Sequence, residues 1–287
     1  MRAALDWLTR PVPLARVAAF RALVYGFIIW DVLYAFNDVV PHSVIPELYQ
    51  PTLLARLVGL QPLSTAVSQA LLAAIIVCCV VAILGRAQRL AGWGVMVTFW
   101  VWALNSQGFS YVQHDHMALM VATLVLPTIG VAHYRDQRLS QAAGWAFRCI
   151  QIATVLTYFG SAISKWARSG SLAVWANSSV FTWAIIRRGS DLVRWTLEYP
   201  MLLRAGQWGL VAIEALSPVV LFLRGRWLYL AIGLFFAFHL STYLAIGIHF
   251  LPTVVCWFAF FPLEKVTARL GGRFGPGAPA GRPVPAT

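Results

Sequence analysis

Apolar runs of membrane-crossing length alternate with short polar stretches along almost the whole chain. A helix needs ~20 predominantly apolar residues to cross a bilayer core. On that criterion the pattern predicts about eight helices. The first four run from Leu14 to Phe36, Ala66 to Leu84, Leu90 to Gln107 and His114 to Ala132. The next three run from Trp145 to Lys165, Ala205 to Leu223 and Trp227 to Ile246. The eighth, Phe250 to Phe261, is short enough to be tilted, half-spanning or merged with the seventh. Pro11 and Pro13 break an amphipathic lead-in over residues 1–13, and Pro41, Pro46, Pro51 and Pro62 forbid one long helix before the second span. Residues 167–203 mix Trp175, Trp183 and Trp195 with Arg187, Arg188 and Arg194, which suits an interfacial or partly re-entrant segment. The transmembrane domain is therefore expected over residues 14–264, followed by a disordered Gly/Pro-rich cytoplasmic tail over 265–287. No internal repeat is evident.

Composition sharpens this picture. The chain is 60% hydrophobic and only 11% charged, with a mean hydropathy of +0.71; soluble domains carry about 25% charged residues. The expected class is an all-α integral membrane protein, a polytopic helix bundle. In a soluble protein the net charge of +12 would point to nucleic acid. Here the distribution of basic residues accounts for it, and no nucleic-acid partner is expected. With the N-terminus inside and eight spans, fifteen of the 22 Lys and Arg fall inside and seven outside. That bias predicts an N-in, C-in topology, in the cell membrane as a multi-pass protein (the plasma membrane in a prokaryote). No cleavable signal peptide is expected, because the first apolar stretch is long and lacks a small-residue cleavage site. The four cysteines, Cys78, Cys79, Cys149 and Cys256, sit in or beside apolar segments and form neither a disulfide framework nor a zinc spacing.

Candidate chemistry centres on Lys165. Only two of the 22 basic residues are lysines, and the other, Lys265, follows the last apolar segment. Unlike arginine, lysine can lose its proton when buried, and an ionisable group at membrane depth is a functional hypothesis by default. The plain alternative is an anchor that snorkels to the interface. The topology brings further polar groups to the same outer face. Gln113–His116 open the fourth helix, His239 and Tyr243 are spaced i,i+4 on the seventh, His249 follows, and Asp31 lies in the outer half of the first. A Lys, several His and a carboxylate suit proton abstraction and transfer. His114 and His116 are two apart and point to different sides of a helix, so either one can face such a pocket. Glu214, mid-helix before Pro218, is read as a structural partner of Arg16 or Arg21. HExxH, CxxC and phosphate-loop motifs are absent. No metal site is expected.

Several stretches, in order, resemble the membrane domain of vitamin K-dependent gamma-carboxylase, also called the horizontally transferred transmembrane domain. They are Trp7–Val32, QHDHMAL from Gln113, TYFGSAISKW over Thr157–Trp166, and Phe238–Glu264. The resemblance implies that Lys165 is the base toward reduced vitamin K or another isoprenoid quinol. Oxygenation of that quinol yields an epoxide and a strong base, which deprotonates a glutamate side chain before CO2 adds. CO2 and O2 are then co-substrates. By position, Tyr158 matches the motif tyrosine, His239 the closing-segment histidine, and His114 or His116 the histidine that assists at the carbanion and CO2 step. Tyr158 and Tyr243 are the candidate cofactor-binding residues.

The chain also departs from the pattern. Gln113 replaces an Asn, the small pair before the lysine is Ser161-Ala162, displaced by one, and Trp166 follows the lysine directly. The family's large extracytoplasmic domain does not follow the last span, so chemistry on a smaller acceptor, or with a protein or peptide partner, is expected. The expected function is thus a quinol-dependent, carboxylase-like lyase in contact with membrane lipid. The alternatives are a non-catalytic scaffold or lipid/quinone-binding protein, and a small-solute transporter, for which paired broken helices and repeats are lacking.

Overall fold

The structure, a computed structural model, describes residues 2–109, 113–266 and 268. It is all-helical apart from one two-residue ladder. That ladder pairs β1, Val12–Pro13, with β2, Leu139–Ser140, antiparallel. It fixes the chain between α1, Arg2–Leu8, and α2, Leu14–Trp30. Pro13 holds extended backbone before α2, and the first N–H groups of that helix are satisfied from outside it. Leu14 and Ala15 donate to the carbonyls of Arg138 and Asp136. At its far end α2 loosens into a π-helical turn over Asp31–Ala35.

Helices α3, Thr65–Ile83, and α4, Gln88–Ser106, form a hairpin. Ser64 caps the first of them through the Val67 N–H, and Gly85 supplies the positive φ that turns the chain. The two pack closely because Gly94 carries no side chain. A Cβ there would meet Cys78 Sγ at 2.6 Å.

The predicted fourth span, His114–Ala132, takes a different form. His114–His116 is a 3-10 turn, α5 is only Met117–Val125, and Leu126–Ile129 is again 3-10. Pro127 lacks the N–H that would continue the α-helix, and Gly130 leaves it at φ +84°. The carbonyl of Leu126 is taken by Arg21 Nη2 at 2.6 Å, while Arg21 Nη1 donates to Gln88 Oε1 at 3.0 Å. Arg21 thus ties α2, α4 and the end of α5 together.

Helix α6, Gln141–Ser169, is longer than expected at 29 residues, and it is capped by Gly170 at φ +76°. Residues 167–203 follow as the end of α6 and a string of short helices, the longest being α7, Ser179–Arg188. Helix α8, Pro200–Leu216, gives way to a 3-10 segment, Ser217–Phe222, at Pro218. Helix α9, Gly225–Ile246, ends on Gly247 at φ +69°. Helix α10, Leu251–Trp257, is short and mostly buried. The expected tail, 265–287, lies outside the described residues except for 265, 266 and 268.

Among the described residues, five helices are long and apolar enough to cross a membrane: Leu14–Ala35, Thr65–Ile83, Gln141–Ser169, Pro200–Phe222 and Gly225–Ile246. Helix α4 matches α3 in length, but Gln88, Arg89, Asn105 and Ser106 at its ends shorten its apolar run. Two buried cores hold the bundle. The larger joins α2 to α6, with Phe20, Phe99, Trp102 and Phe147 among its fully buried members. The smaller gathers Val155, Tyr158, Val220, Ile232, Phe235, Trp257 and Phe260 from α6, α8, α9, α10 and their 3-10 extensions. The cavity described next borders this second core.

Candidate functional site

A cavity of about 830 Å³ opens between α6, α7, α8 and α9. This volume falls within the ~300–1,000 Å³ of small-molecule sites, which are mainly apolar with a few placed polar groups. Phe181, Ile185, Leu210, Leu234, Phe238 and Phe250 supply much of the apolar wall. The polar groups are few and clustered.

The first cluster is built on one face of α6. Ser161 and Lys165 are four residues apart and therefore stacked. Lys165 Nζ donates to Ser161 Oγ at 2.7 Å and to both Glu214 oxygens at 2.6 Å. Ser161 Oγ donates in turn to Glu214 Oε1 at 3.1 Å. The lysine and glutamate side chains are only 15% and 7% exposed. The Trp175 ring stands 4.9 Å from Nζ, and its backbone is held by Gln207 Nε2, which donates to the Trp175 carbonyl at 2.9 Å. Glu214 is therefore the partner of Lys165, not of Arg16 or Arg21. Arg16 is engaged by Glu264 through two contacts of 2.8 Å, and Arg21 as described above. Lys165 also lies one turn inside α6, which continues to Ser169, and not at the helix end.

The second cluster is aromatic. Trp257 Nε1 donates to Tyr158 OH at 2.9 Å, and that hydroxyl lies 2.5 Å from His239 Nε2. Tyr158 OH and His239 Nε2 share one hydrogen bond, whose direction follows the tautomer of the histidine. Nδ1 is buried and finds no partner among the described residues. Tyr158 and His239 both line the cavity.

The histidine pair at the start of the fourth segment is divided. His114 lines the cavity, with its ring 6.1 Å from Phe250. His116 is buried away from it. Its Nε2 lies 2.9 Å from Asp31 Oδ2, its Nδ1 3.3 Å from Asp115 Oδ1, and its ring 4.2 Å from that of Phe36. Asp31 is therefore not part of the Lys165 cluster but anchors His116, at the π-turn that ends α2. Thr253, a cavity residue, donates to the Asp115 carbonyl at 2.8 Å and so connects the two sites. Tyr243 is 54% exposed and stands outside the cavity lining; Ser241, Thr242 and Ala245 take that role on α9.

Sequence reasoning missed the direct pairing of Glu214 with Lys165, and also Ser161, Trp175 and Gln207. One signal for the pairing was present: a lone lysine and a lone mid-helix glutamate in neighbouring apolar segments each need neutralising.

Fold and site together define a class. This is a helical protein with, among the described residues, five helices long and apolar enough to cross a membrane, and it holds an apolar cavity with an ion pair and a Tyr-His pair in its wall. Comparison of the chain with family models, curated proteins and solved structures gives no match.

Proposed function

We propose that this chain is a multi-pass membrane enzyme acting on an isoprenoid quinol, with its proton-accepting centre at Lys165 and the groups bonded to it. The observation that carries this reading is the Lys165–Glu214–Ser161 cluster facing a largely apolar cavity. Such a cavity suits a ligand with a long hydrocarbon portion and a polar ring. The volume and the lining fit that ligand class, and the ring would sit where Lys165, Glu214, His114 and His239 converge. A reduced quinone supplies an acidic hydroxyl and, with O2, oxidising equivalents. The chain's own residues bind and orient the ring, exclude water through Phe181, Phe238 and Phe250, and accept a proton at the ion pair. Carboxylase-like lyase chemistry with CO2, on a small acceptor or on a protein or peptide partner, extends this reading by the resemblance described above. The apolar runs and the bias of basic residues support an arrangement of eight spans with both termini inside.

The test is quinol turnover by the purified protein in nanodiscs with O2 and bicarbonate supplied, and products identified by mass. A positioned acid-base group contributes ~10²–10⁴-fold, so Lys165→Met and Lys165→Arg should both lose that much. Turnover that survives in Lys165→Arg would reduce Lys165 to an anchor. A second reading, a quinone- or lipid-binding protein without chemistry, is favoured by one observation: the ion pair is fully satisfied within the protein. Binding without turnover would select it.

A further inference from the structure

Resting on the quinol reading, we infer that Glu214, and not Lys165, takes the proton from the ligand hydroxyl, while Lys165 stays an ammonium and stabilises the resulting oxyanion. Everything around Lys165 Nζ is an acceptor of a cation. Two carboxylate oxygens lie at 2.6 Å, a hydroxyl oxygen at 2.7 Å, and the ring of Trp175 at 4.9 Å from its centre. Three N–H bonds of an ammonium meet three oxygen acceptors, and the ring face favours positive charge at the same atom. Ser161 Oγ, which gives its hydrogen to Glu214 Oε1 at 3.1 Å, is left to accept from Nζ. Glu214, by contrast, is the acceptor in every contact it makes here, including the one from Ser161. It also lines the cavity beside Lys165 and Ser161.

The step balances without a further reactant. The ligand O–H bond breaks, its proton forms an O–H bond on a Glu214 oxygen, and the electron pair stays on the ligand oxygen. The site holds one negative charge against Lys165 before and after, carried first by the carboxylate and then by the ligand oxyanion. Placing a fixed positive charge where negative charge develops is the usual form of electrostatic catalysis. The serine hydroxyl, now donating to Glu214, is placed to turn toward the oxyanion.

A stable probe separates the two roles: a prenylated 1-naphthol, which carries the acidic hydroxyl but is not a two-electron donor. It is added to the full chain in nanodiscs at neutral pH. Ultraviolet absorption reads the naphtholate, and infrared difference spectra read any new carboxylic-acid C=O band. The expected result is both signals together in the wild type, with the band shifting in protein labelled with 13C-glutamate and absent in Glu214→Gln. Naphtholate without a carboxylic-acid band would overturn the assignment and return the base role to Lys165, leaving the quinol reading intact. Naphthol bound in its neutral form would overturn the assignment too. Failure of the naphthol to bind at all would overturn the quinol reading beneath it. The isotope shift needs no variant, so the test survives if Glu214→Gln does not fold. The double variant Lys165→Met/Glu214→Gln should bind the naphthol with neither signal.

Discussion

Consider removal of the lysine charge alone. In Lys165→Met the stem is replaced by a chain of similar volume, so packing is nearly conserved. Glu214 stays behind at 7% exposure with only the Ser161 hydroxyl as donor. Two unit charges 2.6 Å apart attract by about 6 kcal/mol at an effective dielectric of ~20. The cost of desolvating both charges takes back much of that. What the variant loses is therefore not the pair's net worth but the compensation of a buried carboxylate, which costs ~3–5 kcal/mol. Lys165→Met/Glu214→Gln removes both charges and keeps an acceptor for Ser161, so it should lie within ~1 kcal/mol of the wild type. Glu214→Gln strands the ammonium in its turn and is destabilising as well, so the cycle gives a coupling of more than ~3 kcal/mol. Equilibrium unfolding in mixed micelles, followed by the fluorescence of the 13 tryptophans, measures all four proteins. Additivity within ~0.5 kcal/mol would refute the buried ion pair and, with it, the electrostatic reading of the site.

Three further outcomes are expected. Glu264 loses ground to burial, but hydrogen bonds and charge from Arg16 outweigh it and hold its carboxyl below the usual 4.5. A depressed folded value means the pair's stabilisation is complete above pH 4.5 and is lost as pH falls through the lower folded value. Acid melting curves should show this loss, and Arg16→Gln should remove ~1.5–3 kcal/mol at neutral pH and flatten that part of the curve. Gly144→Ala would put a Cβ 2.0 Å from the Arg10 carbonyl oxygen, so α6 or the β1 approach must shift at a cost of ~1–3 kcal/mol, read by the melting temperature. His114→Ala should weaken binding of the naphthol probe with little change in melting temperature, whereas His116→Ala, which strands buried Asp31, should lower the melting temperature; the reverse pattern would refute the placement of the two rings.

Much of the helical frame was legible because its boundaries are written in local chemistry. Pro13, Ser64 and Gly85 set ends that lie within two residues of those read from the pattern. The fourth segment was misread because apolarity and helix length are different quantities. Residues 117–131 are apolar enough to look like part of a span, but Pro127 and Gly130 stop the hydrogen-bond ladder after nine residues of α-helix. Lys165 stood out as the lone internal lysine, and Tyr158 and His239 by the resemblance; the structure places all three in the wall of one cavity. The i,i+4 argument failed for Tyr243. Four residues advance about 40° past a full turn, and at the rim of the cavity that rotation carries the ring out to 54% exposure. His114 and His116 could not be ordered by helical spacing, since the turn they share is 3-10.

The direction of Lys165 bears on whether it is an anchor at all. A snorkelling lysine extends its stem toward the nearer interface, spending its length to reach water. Here the amine runs back along α6 to the hydroxyl four residues earlier, and across to a carboxylate on α8 that lies fourteen residues into that helix from Pro200. At 1.5 Å per residue Glu214 sits roughly 21 Å from the start of α8. A group seeking solvent has no reason to turn toward such a partner. The glutamate joins α8 to α6 through Lys165 and Ser161, beside the bond that Ser217, in the 3-10 segment after α8, donates to the Val155 carbonyl at 3.2 Å. The cation turns inward onto a carboxylate, and both groups face the cavity. An anchor would lose nothing if Lys165→Arg were made. A cation fitted between Ser161, Glu214 and Trp175 would, because the broader, planar guanidinium cannot occupy the same three-acceptor site.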